Sequence, residues 1–201
     1  AQTDEDREEA AHFITEEANR LSVLVSDLRR LTLLDLAADL NVSMVDLLSV
    51  AERAAVRFAS LAAEREVSLH TSGATEVVSS DATHIDTIIA NLVTNAINAT
   101  PPGGQVSITV DEQDGKRTLA VRDTGVGIGP ADRERIFDRL YRVDRTRART
   151  DGGSGLGLAI VRRVADLLGI EIALESELGA GTTFTLIFPD EPPATARPEE
   201  Q

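Results

Sequence analysis

Three short runs in this chain carry side chains and turns suited to holding a polyphosphate: Asn91-Leu-Val-Thr-Asn95-Ala, Asp123-Thr-Gly125-Val-Gly127-Ile and Gly152-Gly-Ser-Gly155-Leu-Gly157-Leu. In the first, Asn91, Asn95 and Asn98 recur at i, i+4 and i+7, which puts three amides on one face of a helix. Asparagine is an indifferent residue for a helix interior, so the repetition asks for a reason. Its side-chain carbonyl suits Mg2+, a hard ion that takes oxygen ligands and is commonly shared with substrate phosphates. A neutral amide also adds no charge beside a triphosphate. The plain alternative is a solvated polar face. In the second run Asp123 follows a strand directly. A carboxylate there accepts hydrogen bonds and so favours adenine, whose N6 amine donates. Gly125 and Gly127 let the backbone turn tightly and approach a ligand, although an ordinary Asp-Thr-Gly turn reads the same way.

The third run places four glycines just before a helix, including Gly153, Gly155 and Gly157 around Leu156. Amides and the positive end of a helix dipole receive phosphate oxygens. No Lys-Ser or Lys-Thr pair follows, so it is not a Walker loop. No preceding parallel strand with a later acidic ribose ligand makes it a Rossmann turn. A flexible linker remains the alternative, but linkers seldom run into Leu-Gly-Leu-Ala-Ile-Val. Between the second and third runs the charge reverses. Residues 133–150 hold seven arginines against Glu134, Asp138 and Asp144, in a chain of net charge −14. Guanidinium forks suit phosphate oxygens and charge that develops during phosphoryl transfer. Phe137 and Leu140 are expected to anchor this stretch to the domain.

These runs need a scaffold, and the pattern supplies one. From Asp4 to about Leu36, apolar residues (Phe13, Ile14, Leu21, Leu24, Val25, Leu28, Leu31) recur at threes and fours on a charged helix, a stripe that calls for a partner helix. A second helix is expected from Val45 to Glu64, then short strands at Val67–His70 and Val77–Ser79. Asp81 caps a helix to Ala99, ended by Pro101-Pro-Gly-Gly104. Strands Val106–Asp111 and Arg117–Arg122 flank Asp114-Gly115, a hairpin signal. A helix over Leu156–Leu168 stops at Gly169, and Ile170–Glu175 pairs with Thr182–Phe188. The order predicts an α/β two-layer sandwich, with helices on one face of a mixed sheet. The expected division is residues 1–38, a core domain over 39–189, and a disordered tail over 190–201.

Composition narrows the partners. At 201 residues the chain holds one cored domain plus an appendage. Its acidic balance disfavours nucleic acid and anionic membrane, and the absence of cysteine excludes disulfides and thiolate metal sites. No apolar stretch approaches the ~20 residues needed to span a bilayer.

Taken together, the runs resemble the boxes of sensor histidine kinases. Asn91-Leu-Val-Thr-Asn-Ala-Ile-Asn-Ala-Thr-Pro-Pro-Gly-Gly104 is similar to their N box and Asp123-Thr-Gly-Val-Gly-Ile128 to their first glycine box. Arg135-Ile-Phe-Asp-Arg-Leu-Tyr-Arg-Val-Asp144 resembles the F box, Gly152–Val161 the second glycine box, and Gly179-Ala-Gly-Thr-Thr-Phe184 the closing strand. The resemblance covers roughly residues 40–190 and implies the Bergerat ATP-binding fold. It implies ATP and Mg2+ as ligands, with Asn95 the principal metal ligand and Asn91 assisting near the phosphates. Asp123 would bind adenine N6, helped through water by Thr182. Gly125, Gly127, Gly153, Gly155 and Gly157, with Asn98, Tyr141 and Leu156, would shape the nucleotide pocket, and Arg142 and Arg147 would reach the phosphates.

Glu17–Leu31 resembles the second helix of the dimerisation and phosphotransfer hairpin. The chain carries no His-Glu-Leu-Arg-Thr-Pro type motif, and His12, His70 and His84 lack its context. The implied protein moves the ATP γ-phosphoryl to a histidine absent from this chain, for relay to a response-regulator aspartate. It would be a homodimer at full length and cytoplasmic in this part, paired by its tyrosine-containing lid with a winged-helix DNA-binding regulator. Two departures bear on this. The family often carries a basic residue and then a bulky one where this chain has Asn98-Ala99. Hydrolytic relatives place a glutamate base where this chain has Asn91, so transfer to a protein side chain is favoured over hydrolysis. The alternatives are a degenerate nucleotide-binding module and an anti-sigma-type serine kinase, against which the first helix argues.

Overall fold

In the computed structural model the described residues are 40–142 and 154–191, with a scatter of helical positions between Ala11 and Thr32. Among those scattered positions Leu24 packs on the core, whereas Ile14, Leu21, Val25 and Leu28 of the expected stripe are exposed. The rest of the first helix, and the tail beyond residue 191, lie outside the described residues.

The first ordered element is a strand, β1 (Ser43–Asp46), and it corrects the expected start of the second helix. Helix α1 (Leu47–Glu64) begins two residues later than the apolar periodicity implies. Asp46 stops the helix from extending back: its carboxylate accepts from the Leu48 and Ser49 amides at 3.0 and 3.4 Å, and the Ser49 hydroxyl donates to it at 2.7 Å. β1 then pairs antiparallel with β3 (Val77–Ser80), a long-range ladder with no local signature. Asp81 caps α2 (Ala82–Ala99) as expected, accepting from the Thr83 and His84 amides.

The main sheet has the order β2 (Ser68–Gly73), β4 (Gln105–Gln113), β5 (Lys116–Asp123), β7 (Gly181–Ile187), β6 (Glu171–Glu177). Only β2 and β4 run parallel, so the sheet is mixed. The β4–β5 hairpin turns through Asp114 and Gly115, both at positive φ (52° and 78°), the conformation a two-residue hairpin demands. Alternation does the rest. Val106, Ile108 and Val110 on β4, Leu119 and Val121 on β5, and Phe184 and Leu186 on β7 are buried. They face α1, α2 and α3 (Gly157–Leu168), which cover one side of the sheet. This is the expected two-layer sandwich. Gly169 closes α3 at φ 69°, in the left-handed conformation usual after a helix. No helix among the described residues is long and apolar enough to cross a membrane.

Candidate functional site

Two residues on from Val121, Asp123 is the last inward position of β5, so the strand's own period carries a carboxylate to the end of an apolar row. Register sets it opposite Val106 on β4 and Thr182 on β7. It is 5% exposed. Its Oδ1 accepts from the Gly125 amide at 2.8 Å and the Thr182 amide at 3.2 Å. Oδ2 has no partner among the described residues and is left to accept from a ligand. Burial pushes this carboxyl above the usual carboxylate range, and the two amides oppose that only in part. A cavity of about 470 Å³ opens at this corner of the sheet, lined by Asp123, Ser176 and Thr182 and also by Arg122, Glu175 and Thr183, which alternate to the opposite face.

The glycines around Asp123 let backbone approach backbone closely. A Cβ on Gly125 would lie 2.4 Å from the Ala99 carbonyl oxygen, and one on Gly127 (φ 68°) 1.9 Å from that of Glu177. Backbone meets backbone at these places. The first glycine box is therefore seated on the C-terminus of α2, where the Val126 amide donates to Ala99, and on the β6–β7 turn, where the Gly179 amide donates to Val126.

Sequence reasoning missed the residue that ties these parts together. The Ser176 hydroxyl on β6 accepts from the Ile128 amide at 2.8 Å, donates to the Gly181 carbonyl at 2.9 Å and meets the Thr182 hydroxyl at 2.9 Å. Its carbonyl also accepts from the Arg133 guanidinium. No local signal marks a lone serine in a strand.

On α2, Leu92, Val93, Ala96 and Ile97 are buried, as expected. Asn91, Asn95 and Asn98 lie half-buried on the other side. Asn91 Nδ2 donates to the Thr87 carbonyl at 2.8 Å, which leaves its oxygen uncommitted. The N-terminus of α3 meets this face: a Cβ on Gly157 would lie 2.8 Å from Asn91 Oδ1 and 3.8 Å from Asn95 Nδ2. Amides of a helix start with no partner among the described residues and two side-chain amides without a charge thus share one cradle, which only glycine leaves open. That donor set fits a hard divalent ion shared with phosphates, since neutral oxygens are present and the remaining charge can come from the ligand. Leu156, just before α3, is 3% exposed and its side chain joins the core.

In the arginine-rich stretch, Ile136 is the buried anchor, within a short 3-10 turn, Arg135–Phe137. Phe137 packs edge-on against Phe184 with centroids 6.3 Å apart. Leu140, expected to be an anchor, is 65% exposed at φ 64°, because the turn it occupies points the side chain outward. Its amide instead donates to the Gly155 carbonyl at 2.9 Å, linking the F box to the second glycine box. Tyr141 donates its hydroxyl to Asp132 Oδ1 at 2.5 Å, with Arg135 lying over its ring at 4.3 Å. That bond raises the phenol above its usual range, with burial adding to it. Arg142 is half-buried at the edge of the described residues, and Arg147 and Gly153 lie outside them.

Residues 80–192 match the model of the histidine kinase-, DNA gyrase B-, and HSP90-like ATPases. The sensor-like histidine kinase SenX3 of Mycolicibacterium smegmatis is 38% identical over 193 residues, which cover 95% of this chain and 50% of SenX3. The sensor protein SrrB of Staphylococcus aureus is 32% identical over 183 residues, 90% of this chain and 31% of SrrB. The chain thus spans half or less of the length of these relatives. Among solved structures, full-length ShkA in complex with AMPPNP superposes with a TM-score of 0.78 at 28% identity, covering 96% of this chain and 41% of ShkA. The buried carboxylate, the asparagine face and the glycine loops stand on that shared fold, and the chain belongs to the histidine kinase-, DNA gyrase B-, and HSP90-like ATPase family, as an ATPase catalytic domain of the sensor histidine kinase kind.

Proposed function

We propose that this chain binds Mg-ATP and presents its γ-phosphoryl to a histidine of the parent kinase, from which a response-regulator aspartate takes it. The observation that carries the reading is the meeting of the Asn91–Asn95 face with the start of α3 at Gly157, on the same helix whose C-terminal Ala99 seats the Asp123 turn. Asp123 holds the adenine amine through Oδ2. Gly125 and Gly127 keep the turn beneath the base closed. Asn95, with Asn91 beside it, holds Mg2+, which when bound neutralises phosphate charge and orients the γ-phosphoryl. Amides at the start of α3 receive phosphate oxygens. Arg142 and Arg147 are assigned to the phosphates from the lid, Gly153 and Gly155 to its hinges. Asn98 and Tyr141 border the nucleotide, and Thr182 supports the base.

No carboxylate stands one turn before Asn95, where a base for water would sit, and Asn91 cannot serve as one. Transfer to a protein acceptor fits that better than hydrolysis. His70 lies on the exposed side of β2, and His84 sits 3.0 Å from the Asp81 carboxylate that caps α2, so the acceptor is assigned outside this chain. The exposed Ile14, Leu21, Val25 and Leu28 fit a dimerisation helix over residues 1–38 in a homodimeric parent. Domain limits of 39–189, a cytoplasmic location for this part and a winged-helix class of regulator belong to the same proposal.

The test is calorimetric titration with a non-hydrolysable ATP analogue, with and without Mg2+, beside an Asp123→Asn control. Mg2+-dependent binding that the control loses supports the reading. A folded chain that binds nothing would reject it in favour of a degenerate module, with Asn98-Ala99 the first positions to repair.

A further inference from the structure

Counting hydrogens around Ser176 fixes the polarity of its neighbour. A hydroxyl has one hydrogen and two lone pairs. The Ile128 amide, a donor, takes one lone pair of Ser176 Oγ at 2.8 Å. The Gly181 carbonyl, which can only accept, takes its one hydrogen at 2.9 Å. One lone pair is left, so the Thr182 hydroxyl at 2.9 Å must be its donor. The opposite assignment would set two lone pairs against each other at the Gly181 carbonyl. With its only hydrogen committed to Ser176, Thr182 Oγ1 can meet a ligand only as an acceptor. Asp123, paired with Thr182 across β5 and β7, already spends Oδ1 on two amides and keeps Oδ2, a second acceptor, on the same inward face of the sheet.

We infer that Ser176 is a specificity-determining positioning residue: it locks the Thr182 hydroxyl as an acceptor beside Asp123, so this corner of the sheet accepts 6-amino purines and rejects 6-oxo purines. A 6-amino group donates to these oxygens. A 6-oxo group sets a carbonyl against them, and sites that leave polar groups unmatched discriminate strongly. Thr182 keeps this polarity only while Ser176 remains saturated by Ile128 and Gly181, residues that lie on separate elements. The inference rests on the nucleotide reading above, and the two fail differently.

The 201-residue chain is titrated with a non-hydrolysable ATP analogue and its inosine counterpart. The parent is expected to prefer the 6-amino ligand by about a hundredfold. Ser176→Ala frees the Thr182 hydrogen, which can then donate to a 6-oxo group, and the preference falls by about tenfold. Ser176→Thr keeps a hydroxyl at the same atom and restores the parent ratio. Equal weakening of both ligands by Ser176→Ala, with the ratio unchanged, would reduce Ser176 to a structural role and overturn the inference. Should that variant fail to fold, Thr182→Val decides: loss of the acceptor lowers the preference, and an unchanged ratio overturns the inference. A parent that binds both ligands equally also overturns it alone, while a folded parent that binds neither overturns the nucleotide reading with it.

Discussion

Asp123 Oδ1 takes two backbone amides and the Ser176 hydroxyl has no valence to spare, whereas the side chains of Asn95 and Asn98 make no hydrogen bond to another described residue. The glycines divide the same way. At the sheet end, a Cβ on Gly127 or Gly181 would meet a backbone oxygen at 1.9 or 2.0 Å. At the helix end, a Cβ on Gly157 would meet the Asn91 side-chain oxygen at 2.8 Å. Backbone in a sheet or a tight turn cannot step aside; an amide on a helix surface can. The base end is therefore completed by folding itself, and its recognition is preorganised before a ligand arrives. The phosphate end is left with donors and acceptors unspent, for a metal ion and phosphates to complete.

Overfilling the sheet end gives the largest effect. Gly127→Ala places a methyl group against the Glu177 carbonyl at a φ of 68°, and it is expected to cost about 3 kcal/mol or more in denaturant titration, with nucleotide binding lost. Gly103→Ala separates strain from crowding. That glycine has φ 82° and nothing within 4 Å of its Cβ position, so only the left-handed backbone is penalised, by about 1 kcal/mol. Equal costs at the two positions would erase the claim that close packing, rather than turn geometry, fixes the base end.

Asp123→Asn should come next, and it moves binding and stability in opposite directions. An amide donor replaces the free acceptor, and adenine nucleotide affinity is expected to fall by about a hundredfold. Burial raises the native carboxyl above its ordinary value of 3.8, so the native state holds its proton more tightly than the unfolded chain does. The ionised carboxylate thus lowers stability, and that cost grows as pH rises from 3.8 through the native value. Below 3.8 the group is protonated in both states and the cost is gone. The asparagine variant is therefore expected to be more stable than the parent at neutral pH and equal to it in strong acid, measured as denaturation midpoints across pH. A variant less stable at neutral pH would mean that the two amides outweigh burial.

How far the sequence reached follows the same division. The asparagine face, the Asp123 turn and the glycine loop before α3 are local patterns; spacing puts the asparagines on one helix face, and the tertiary fold brings Gly157 against Asn91 and Asn95. What the sequence left unmarked is set by register. Ser176 matters because β6 places it opposite Thr182 and a loop 48 residues away lays the Ile128 amide on it. Strand β1 is four residues long and exists by pairing with Val77–Ser80 across α1 and β2, so a run that includes Val45, Leu47 and Leu48 reads as helix from its apolar content alone. Leu140 and Ile136 exchange the expected anchoring role because a positive φ at Leu140 reverses the direction of its side chain.

The helix end should bend where the sheet end breaks. In Gly157→Ala the added methyl group displaces Asn91 Oδ1, the end of a side chain, from its 2.8 Å approach. Alanine is the better helix former, so stability is expected to hold or rise slightly by denaturant titration. Affinity for Mg-ATP analogue is expected to fall by about tenfold, the scale of one lost polar contact to a charged ligand. Most of that loss should vanish when Mg2+ is omitted. A loss of equal size without Mg2+ would place Gly157 in the phosphate cradle but not beside the metal.

Tyr141→Phe should have the smallest effect, and it tests whether the two ends communicate. Asp132 belongs to the segment that follows the first glycine box, and Tyr141 opens the stretch that leads to the second; their bond at 2.5 Å is the side-chain tie between them. Arg135 stays over the ring at 4.3 Å in the variant, so the ring's stacking contact survives and only the hydroxyl is lost. Nucleotide affinity is expected to fall by roughly threefold, the scale of a half-exposed polar contact. The pH dependence gives a sharper readout. Because the Asp132 carboxylate raises the phenol above 10.0, the bond supports the native state below that pH and is lost as pH rises through the native value. The parent's stability should therefore decline on the alkaline side through this group, and the phenylalanine variant should lack that component. Asp132→Asn leaves the phenol a neutral partner, and the double variant should cost less than the sum of the two single changes. Strict additivity would mean that the tie carries nothing between the ends, and that the link rests on other contacts such as the Leu140–Gly155 backbone bond.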